Sequence, residues 1–257
     1  MEGGFFWVVA ALAAALVGMG KGGLPVVGML GVPILSQAIS PVTAAGLLLP
    51  VYVVSDMFGL YAYRGEFDRR VLAIMAAGAT IGVALGWATA KITPEWLVTA
   101  VVGLIGTLFA LNLLLRHRSD VAQKPARVAP GLFWGTITGF TSFVSHSGAP
   151  PFQIYVLPLK LRKMVFAGTN TILFAYVNAI KLIPYWALGQ LSLKNLEVAA
   201  LLMPVAAIAV FAGVRLTRIV PERIFFRVIT PSMYCFTSAF SLVYIRILNA
   251  VLRRLRP

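Results

Sequence analysis

Long apolar runs separated by short polar breaks dominate the chain, and the runs fall into two length classes. Val42 to Tyr63, Val71 to Ala90 and Trp96 to Leu115 each hold about twenty residues, enough to cross a ~30 Å hydrocarbon core at ~1.5 Å per residue. Phe166 to Leu188, Leu196 to Val214 and Val228 to Ile245 repeat that class further on. Four runs are shorter: Phe5 to Met19, Val26 to Leu35, Gly131 to Val144 and Phe152 to Leu159. The first of these rises only roughly 23 Å. They come in pairs, each pair divided by a Gly/Pro break: Gly20-Lys21-Gly22-Gly23-Leu24-Pro25 in one and Ser145-His146-Ser147-Gly148-Ala149-Pro150-Pro151 in the other. Apolar runs of ~10–14 residues re-enter a membrane more often than they span it. Phe5 to Ile39 therefore predicts a re-entrant helical hairpin, with one long broken helix as the alternative.

The two halves follow one plan. Lys21-Gly22-Gly23-Leu24-Pro25 aligns with His146-Ser147-Gly148-Ala149-Pro150 at an offset of 125, Tyr61 to Gly65 with Tyr185 to Gly189 at 124, and Lys91 to Glu95 with Arg218 to Glu222 at 127. Matches this far apart at nearly one offset predict an internal duplication, a hallmark of secondary transporters. The expected fold is an all-α polytopic membrane protein of two pseudo-symmetric repeats. Repeat one with its basic linker occupies residues 1–127 and repeat two residues 128–257. Each holds a re-entrant or broken hairpin plus three transmembrane helices, eight helical segments by the conventional count. Gly78, Gly82 and Gly86 fall on one helix face and predict tight helix packing.

Composition agrees: 60% of the 257 residues are hydrophobic and 12% charged, and the mean hydropathy is +0.89. Soluble domains sit well below this. The net charge of +14 does not imply nucleic acid, because the Lys and Arg residues occupy short loops, where a topology signal belongs. With the linker Arg116 to Arg127 inside, inverted repeats place 14 loop cations inside and 6 outside, and parallel repeats place 12 and 8. Inverted repeats are favoured, although they leave the basic Arg253-Arg254-Leu255-Arg256 outside. No cleavable signal peptide is expected, and the single Cys235 can form no intrachain disulfide. A multi-pass protein of a cell membrane follows, the bacterial inner membrane being the expected one, with the lipid bilayer as its first partner. A homodimer is compatible with this plan.

The breaks are where chemistry is expected. Irregular backbone at membrane depth must be buried in protein or line a cavity. Gly22-Gly23 and Ser147-Gly148 permit sharp turns and close backbone approach, and Pro25 and Pro150 suit the first turn of a following helix. Those half-helices would aim their N-termini inward, and a cation stands at the same place in each repeat, Lys21 and His146. Helix N-termini with nearby cations describe an anion site; helix breaks needed only for packing are the structural alternative. Ionisable residues within spans are costly, so Asp56 and Lys181, again 125 apart, should either ion-pair with each other or bind substrate or a coupling proton. Ser145, Gln153, Asn170, Asn178 and Ser55 are candidate polar ligands, interhelical hydrogen bonding being the other reading. Trp96, Tyr185 and Trp186 read as interface anchors. Adjacent Ser145, His146 and Ser147 side chains point apart, which argues against a Ser–His hydrolase, and no metal-binding, cofactor-binding or nucleotide-binding motif is present. No catalytic residue, metal or cofactor is therefore expected.

The second-half run Ser147-Gly148-Ala149-Pro150-Pro151, Ile154-Tyr155, Lys163, Phe166-Ala167-Gly168-Thr169, Asn178, Lys181 and Tyr185 resembles the C-terminal motif of the TauE/SafE sulfite exporter family, also called the TSUP family of membrane permeases. Gly20 to Pro25 with Pro33 resembles its first motif. Many members carry three glycines where this chain has Lys21-Gly22-Gly23, and a second glycine in place of Ala149. The resemblance implies a non-enzymatic permease for a small anion such as sulfite, a sulfonate, sulfoacetate or another carboxylate, with export favoured. On this reading Lys21 and His146 neutralise the anion, and backbone N–H groups near Gly22-Gly23 and Ser147-Gly148 hold its oxygens. A passive anion channel and a non-transporting membrane subunit are the alternatives.

Overall fold

The computed structural model describes residues 3–90 and 123–226, apart from the side chains of Val26, Pro41 and Lys194. The expected spans Trp96 to Leu115 and Val228 to Ile245, the Lys91 loop, most of the basic linker, Cys235 and the C-terminal arginines lie outside the described residues. Within them every regular element is helical: α1 (Gly4–Lys21), α2 (Pro25–Gly28), α3 (Gly31–Leu35), α4 (Pro41–Tyr63), α5 (Arg69–Thr89), α6 (Val128–Ser145), α7 (Ala149–Val156), α8 (Lys163–Ala187) and α9 (Leu193–Ile219), with a 3-10 turn at Leu157–Leu159. Five of these, α1, α4, α5, α8 and α9, are long and apolar enough to cross a membrane. The chain is a polytopic helical membrane protein.

Local chemistry sets the helix starts. The Ser40 hydroxyl accepts from Thr43 N at 3.3 Å, the Asp68 carboxylate from Val71 N at 2.9 Å, and the Ser192 hydroxyl from Asn195 N at 3.2 Å. Each satisfies an N–H that the first helical turn leaves free.

The first short run is longer than its pattern suggests. α1 continues through Met19 and Gly20 to Lys21, 18 residues in all, so it rises ~27 Å and is nearly a full span. The glycine is tolerated there because a neighbour needs the space: a Cβ on Gly20 would overlap the Cα of Gly28. The turn itself is Gly22 to Leu24, and α2 and α3 then fold back against α1. In the second half α6 is followed by α7 and the 3-10 turn, which return to where α6 began. Lys124 N donates to Pro158 O at 3.1 Å, Gln123 Nε2 to Leu159 O at 3.1 Å, and the Tyr155 hydroxyl to Arg127 O at 2.9 Å. Both short pairs are hairpins.

Packing between the halves is reciprocal. α1 lies on α9, and α5 lies on α6. Glycines on both sides line these contacts: Gly18 and Gly22 face Ala206, Ala209 and Gly213, while Gly78, Gly82 and Gly86 face α6 from Leu132 to Phe143, whose Gly135 and Gly139 face α5 in turn. A Cβ on Gly82 would overlap Thr136 O, so the small-residue stripe serves the tight packing its spacing predicts. α4 and α8 cross the centre and run antiparallel. Gly46 meets Gln190, Asp56 meets Asn178, Gly59 meets Thr171, and Gly168 meets Glu66 and Tyr63.

Candidate substrate-binding site

The two hairpin tips approach each other at Tyr52, the midpoint of α4. His146 stacks on the Tyr52 ring with centroids 4.7 Å apart and planes 8° from parallel. Lys21 Nζ stands 5.3 Å from the same ring and 5.7 Å from that of Phe174, distances at which a ring face attracts a cation. Between them lies a cavity of ≈ 40 Å³, lined by Lys21, Pro25, Tyr52, Ser142, His146, Ala149, Asn170 and Asn178 among others. One water needs roughly 10–15 Å³ by a comparable measure, so the space suits a few waters or one small ion.

Charge in this region is uneven. Lys21 Nζ is 2.7 Å from Asp56 Oδ1, and Asn178 Nδ2 donates to Asp56 Oδ2 at 2.7 Å. The ion pair is thus Lys21–Asp56; the alternative reading of an Asp56–Lys181 pair is corrected. Register explains it: α4 and α8 are antiparallel, so Asp56 comes opposite Asn178 and Lys181 moves a turn further along. Lys181, completely buried, donates instead to Ser142 O at 3.0 Å, Ser142 Oγ at 3.2 Å and His146 Nδ1 at 3.0 Å. All three ammonium donors have partners, and none is a carboxylate. The Ser142 carbonyl belongs to the last turn of α6, where the helix dipole favours a cation. Among the described residues the buried ionic groups around the cavity are two lysines and one carboxylate.

His146 is not the free cation that its place in the repeat suggests. Its Nδ1 accepts from Lys181, and its Nε2 lies 3.3 Å from the Ala45 carbonyl and 3.5 Å from the Tyr185 hydroxyl. That pattern fits a neutral imidazole with the hydrogen on Nε2. The residue caps α6 in the left-handed conformation, φ 54° and ψ 21°, a place that glycine usually fills.

Backbone donors differ between the tips. Gly22 N donates to Gly18 O at 2.9 Å and Gly23 N to Gly20 O at 3.2 Å, so the expected role of these two N–H groups in holding an anion is corrected: they close α1. Gly22 O in turn accepts from the Tyr63 hydroxyl at 2.7 Å and the Thr217 hydroxyl at 3.0 Å. Helix α2 has only four residues, too few to present the dipole end expected after Pro25. The second tip keeps that potential. Ser147 N bonds weakly to Thr141 O at 3.4 Å, whereas Gly148 N and Ala149 N have no partner among the described residues. Pro150 and Pro151 follow in the first turn of α7 and have no N–H to satisfy.

The other expected ligands separate. Asn170 lines the cavity, and its Oδ1 has no hydrogen-bond partner. Ser145 Oγ and Ser147 Oγ donate to the backbone carbonyls of Thr141 and Ser145, and neither lines the cavity. Gln153 is fully buried in α7 with both amide atoms unpaired, also outside the cavity lining, and nothing in its surroundings accounts for it. Ser55 is buried with an unpaired hydroxyl.

Two site residues, Tyr52 and Ser142, escape the sequence reading, and a third, Tyr185, is named there without its place at the site. Tyr52 precedes Asp56 by four positions, Ser142 precedes His146 by four, and Tyr185 follows Lys181 by four; one helical turn was the available signal. Tyr185 is no interface anchor, because it is 2% exposed and its hydroxyl donates to Phe143 O at 2.6 Å. Trp186, 74% exposed, does face outward. Motif residues outside the cavity brace it: the Thr169 hydroxyl accepts from Asp68 N at 2.9 Å, and Lys163 Nζ donates to Val220 O at 2.6 Å and Arg218 O at 3.2 Å.

Among known families, the model described as sulfite exporter TauE/SafE aligns with residues 4–240. No curated protein matches the chain, and no solved structure does.

Proposed function

The chain belongs to the sulfite exporter TauE/SafE family of membrane transporters, and we propose that it carries a small oxyanion, sulfite or a short sulfonate, through the cavity between its hairpin tips. The observation that carries this reading is the imbalance of ionisable groups: two buried lysines and one buried carboxylate lie beside the cavity, so with both lysines protonated one positive charge is unmatched. An unmatched buried charge is expensive, and a monovalent anion would offset it.

In this reading Lys21 touches the anion directly. It lines the cavity and gives one donor to Asp56, which leaves others free. Asn170 and the unpaired N–H groups of Gly148 and Ala149 supply further polar contacts, aided by the positive end of α7. Lys181 acts from behind Ser142 and His146 as the uncompensated charge. Coupling to a proton would use the Lys181–His146 hydrogen bond, since it joins the buried charge to the cavity wall; uphill sulfite flux driven by an imposed pH gradient tests it.

The antiparallel α4–α8 crossing supports inverted repeats. So does the return of α7 to the linker, which brings the basic loops at residues 64–70, 123–127, 160–163 and 215–223 toward one face. Alternating access would then exchange which hairpin seals the cavity.

Flux of labelled sulfite in proteoliposomes separates a carrier from a channel. The carrier reading expects saturation and acceleration by unlabelled sulfite on the opposite side. Linear, unaccelerated flux would establish a channel, and no flux under either gradient would favour a non-transporting subunit.

A further inference from the structure

A second, larger cavity of ≈ 530 Å³ lies where the linker meets the second hairpin, and it shares no lining residue with the first. Lys124 and Arg127 stand at its edge, while Trp134, Ile154, Tyr155 and Pro158 contribute apolar and aromatic wall. We propose that this groove binds the headgroup and upper acyl chains of an anionic glycerophospholipid.

Three observations support that occupant. Among the described residues the lining contains two cations and no carboxylate, which matches one phosphodiester together with a second acidic or hydroxyl-bearing headgroup. The groove lies at the start of α6, which packs there against the first turns of α5, a helix long and apolar enough to cross a membrane. It is on the face where the basic loops gather, the level at which lipid phosphates sit. Its floor continues onto outward-facing apolar surface: Phe133, 59% exposed, packs edge-on against Trp134 at 5.2 Å. A soluble anion would use the two cations and leave that surface idle.

The groove is also held in shape. The Lys124, Gln123 and Tyr155 hydrogen bonds to Pro158, Leu159 and Arg127 fix both rims. Tyr155 packs over Gly131 beside Ile74 of α5. A lipid seated there would bridge the linker to both limbs of the second hairpin.

The test uses full-length purified protein in a non-ionic detergent, with phosphatidylglycerol, phosphatidylcholine or glycerol 3-phosphate added. Bound lipid is read by native mass spectrometry and stability by the melting midpoint. Each interfacial cation contributes about 1 kcal/mol toward anionic lipid, so Lys124→Gln/Arg127→Gln should weaken phosphatidylglycerol binding about 30-fold. Arg223→Gln, a basic loop residue away from the groove, should leave it unchanged. Wild type should gain melting temperature from phosphatidylglycerol and from neither phosphatidylcholine nor glycerol 3-phosphate, and the double variant should lose that gain. Equal binding by the double variant, equal loss in Arg223→Gln, or full stabilisation by glycerol 3-phosphate would each overturn the proposal. The outcome is independent of the sulfite reading, because Lys124 and Arg127 lie outside the central cavity.

Discussion

Lys21 and Asp56, 2.7 Å apart and both buried, are the pair whose disruption should cost the fold most. Removing one member strands the other, at about 3–5 kcal/mol. Lys21→Met should therefore lower the melting midpoint of the purified protein sharply. Lys21→Met/Asp56→Leu should recover most of it while sulfite-induced stabilisation stays absent, because the cavity has lost its lining cation. A double variant that still binds sulfite would assign the anion elsewhere. Much of this site was legible from residue type alone: charge at membrane depth marked Lys21, Asp56, His146 and Lys181. The partners were not legible. Choosing between Asp56–Lys21 and Asp56–Lys181 needs the α4–α8 register, and a list of charged positions does not contain it.

At the scale of elements, the first hairpin turns on one residue. Gly23 has φ +108°, a conformation that favours glycine, and a Cβ there would crowd the Tyr63 and Thr217 hydroxyls that hold Gly22 O. Gly23→Ala should lower both melting midpoint and sulfite transport. Gly65→Ala, with open space around it, should change neither beyond the small shifts of an exposed site. Equal behaviour of the two variants would remove the turn from the account. The break was visible in the sequence as Gly-Gly and Pro, but its exact place was not. Helix α1 runs two residues further than the apolar pattern because the Gly20–Gly28 approach makes helix possible through a glycine, and such a tertiary contact leaves no local signature. The expectation of two matching half-helices failed for the same kind of reason: α2 ends after one turn, while α7, started by two prolines, runs for two.

For the whole molecule, the hairpins and the antiparallel α4–α8 crossing require the loops at Lys160 and at Gly189 to open on opposite faces. Single cysteines at those positions, in a background with Cys235→Ser, should react with a membrane-impermeant maleimide from opposite sides, as read in right-side-out and inverted vesicles. Labelling of both from one side would overturn the α8 crossing. A third single cysteine at Lys124 should label from the Lys160 side, and labelling from the Gly189 side would overturn the inverted arrangement. Here the sequence was informative, since the offset near 125 and the loop charges pointed the same way. The return of α7 to the linker lends physical support to that bias. What no charge tally could supply is the reciprocal packing of α1 on α9 and α5 on α6, which intertwines the halves instead of setting them side by side.

Sulfite binding to Lys181→Met, measured against wild type by ligand-induced thermal shift and by equilibrium titration, tests the central claim most directly. Methionine nearly keeps the volume and removes the charge together with the hydrogen bonds to Ser142 and His146. A unit charge ~8 Å from an anion at an effective dielectric of ~20 contributes about 2 kcal/mol, so affinity should fall about 30-fold while the protein stays folded. Wild-type affinity in Lys181→Met would contradict the account, because the anion would not then be answering the unmatched charge.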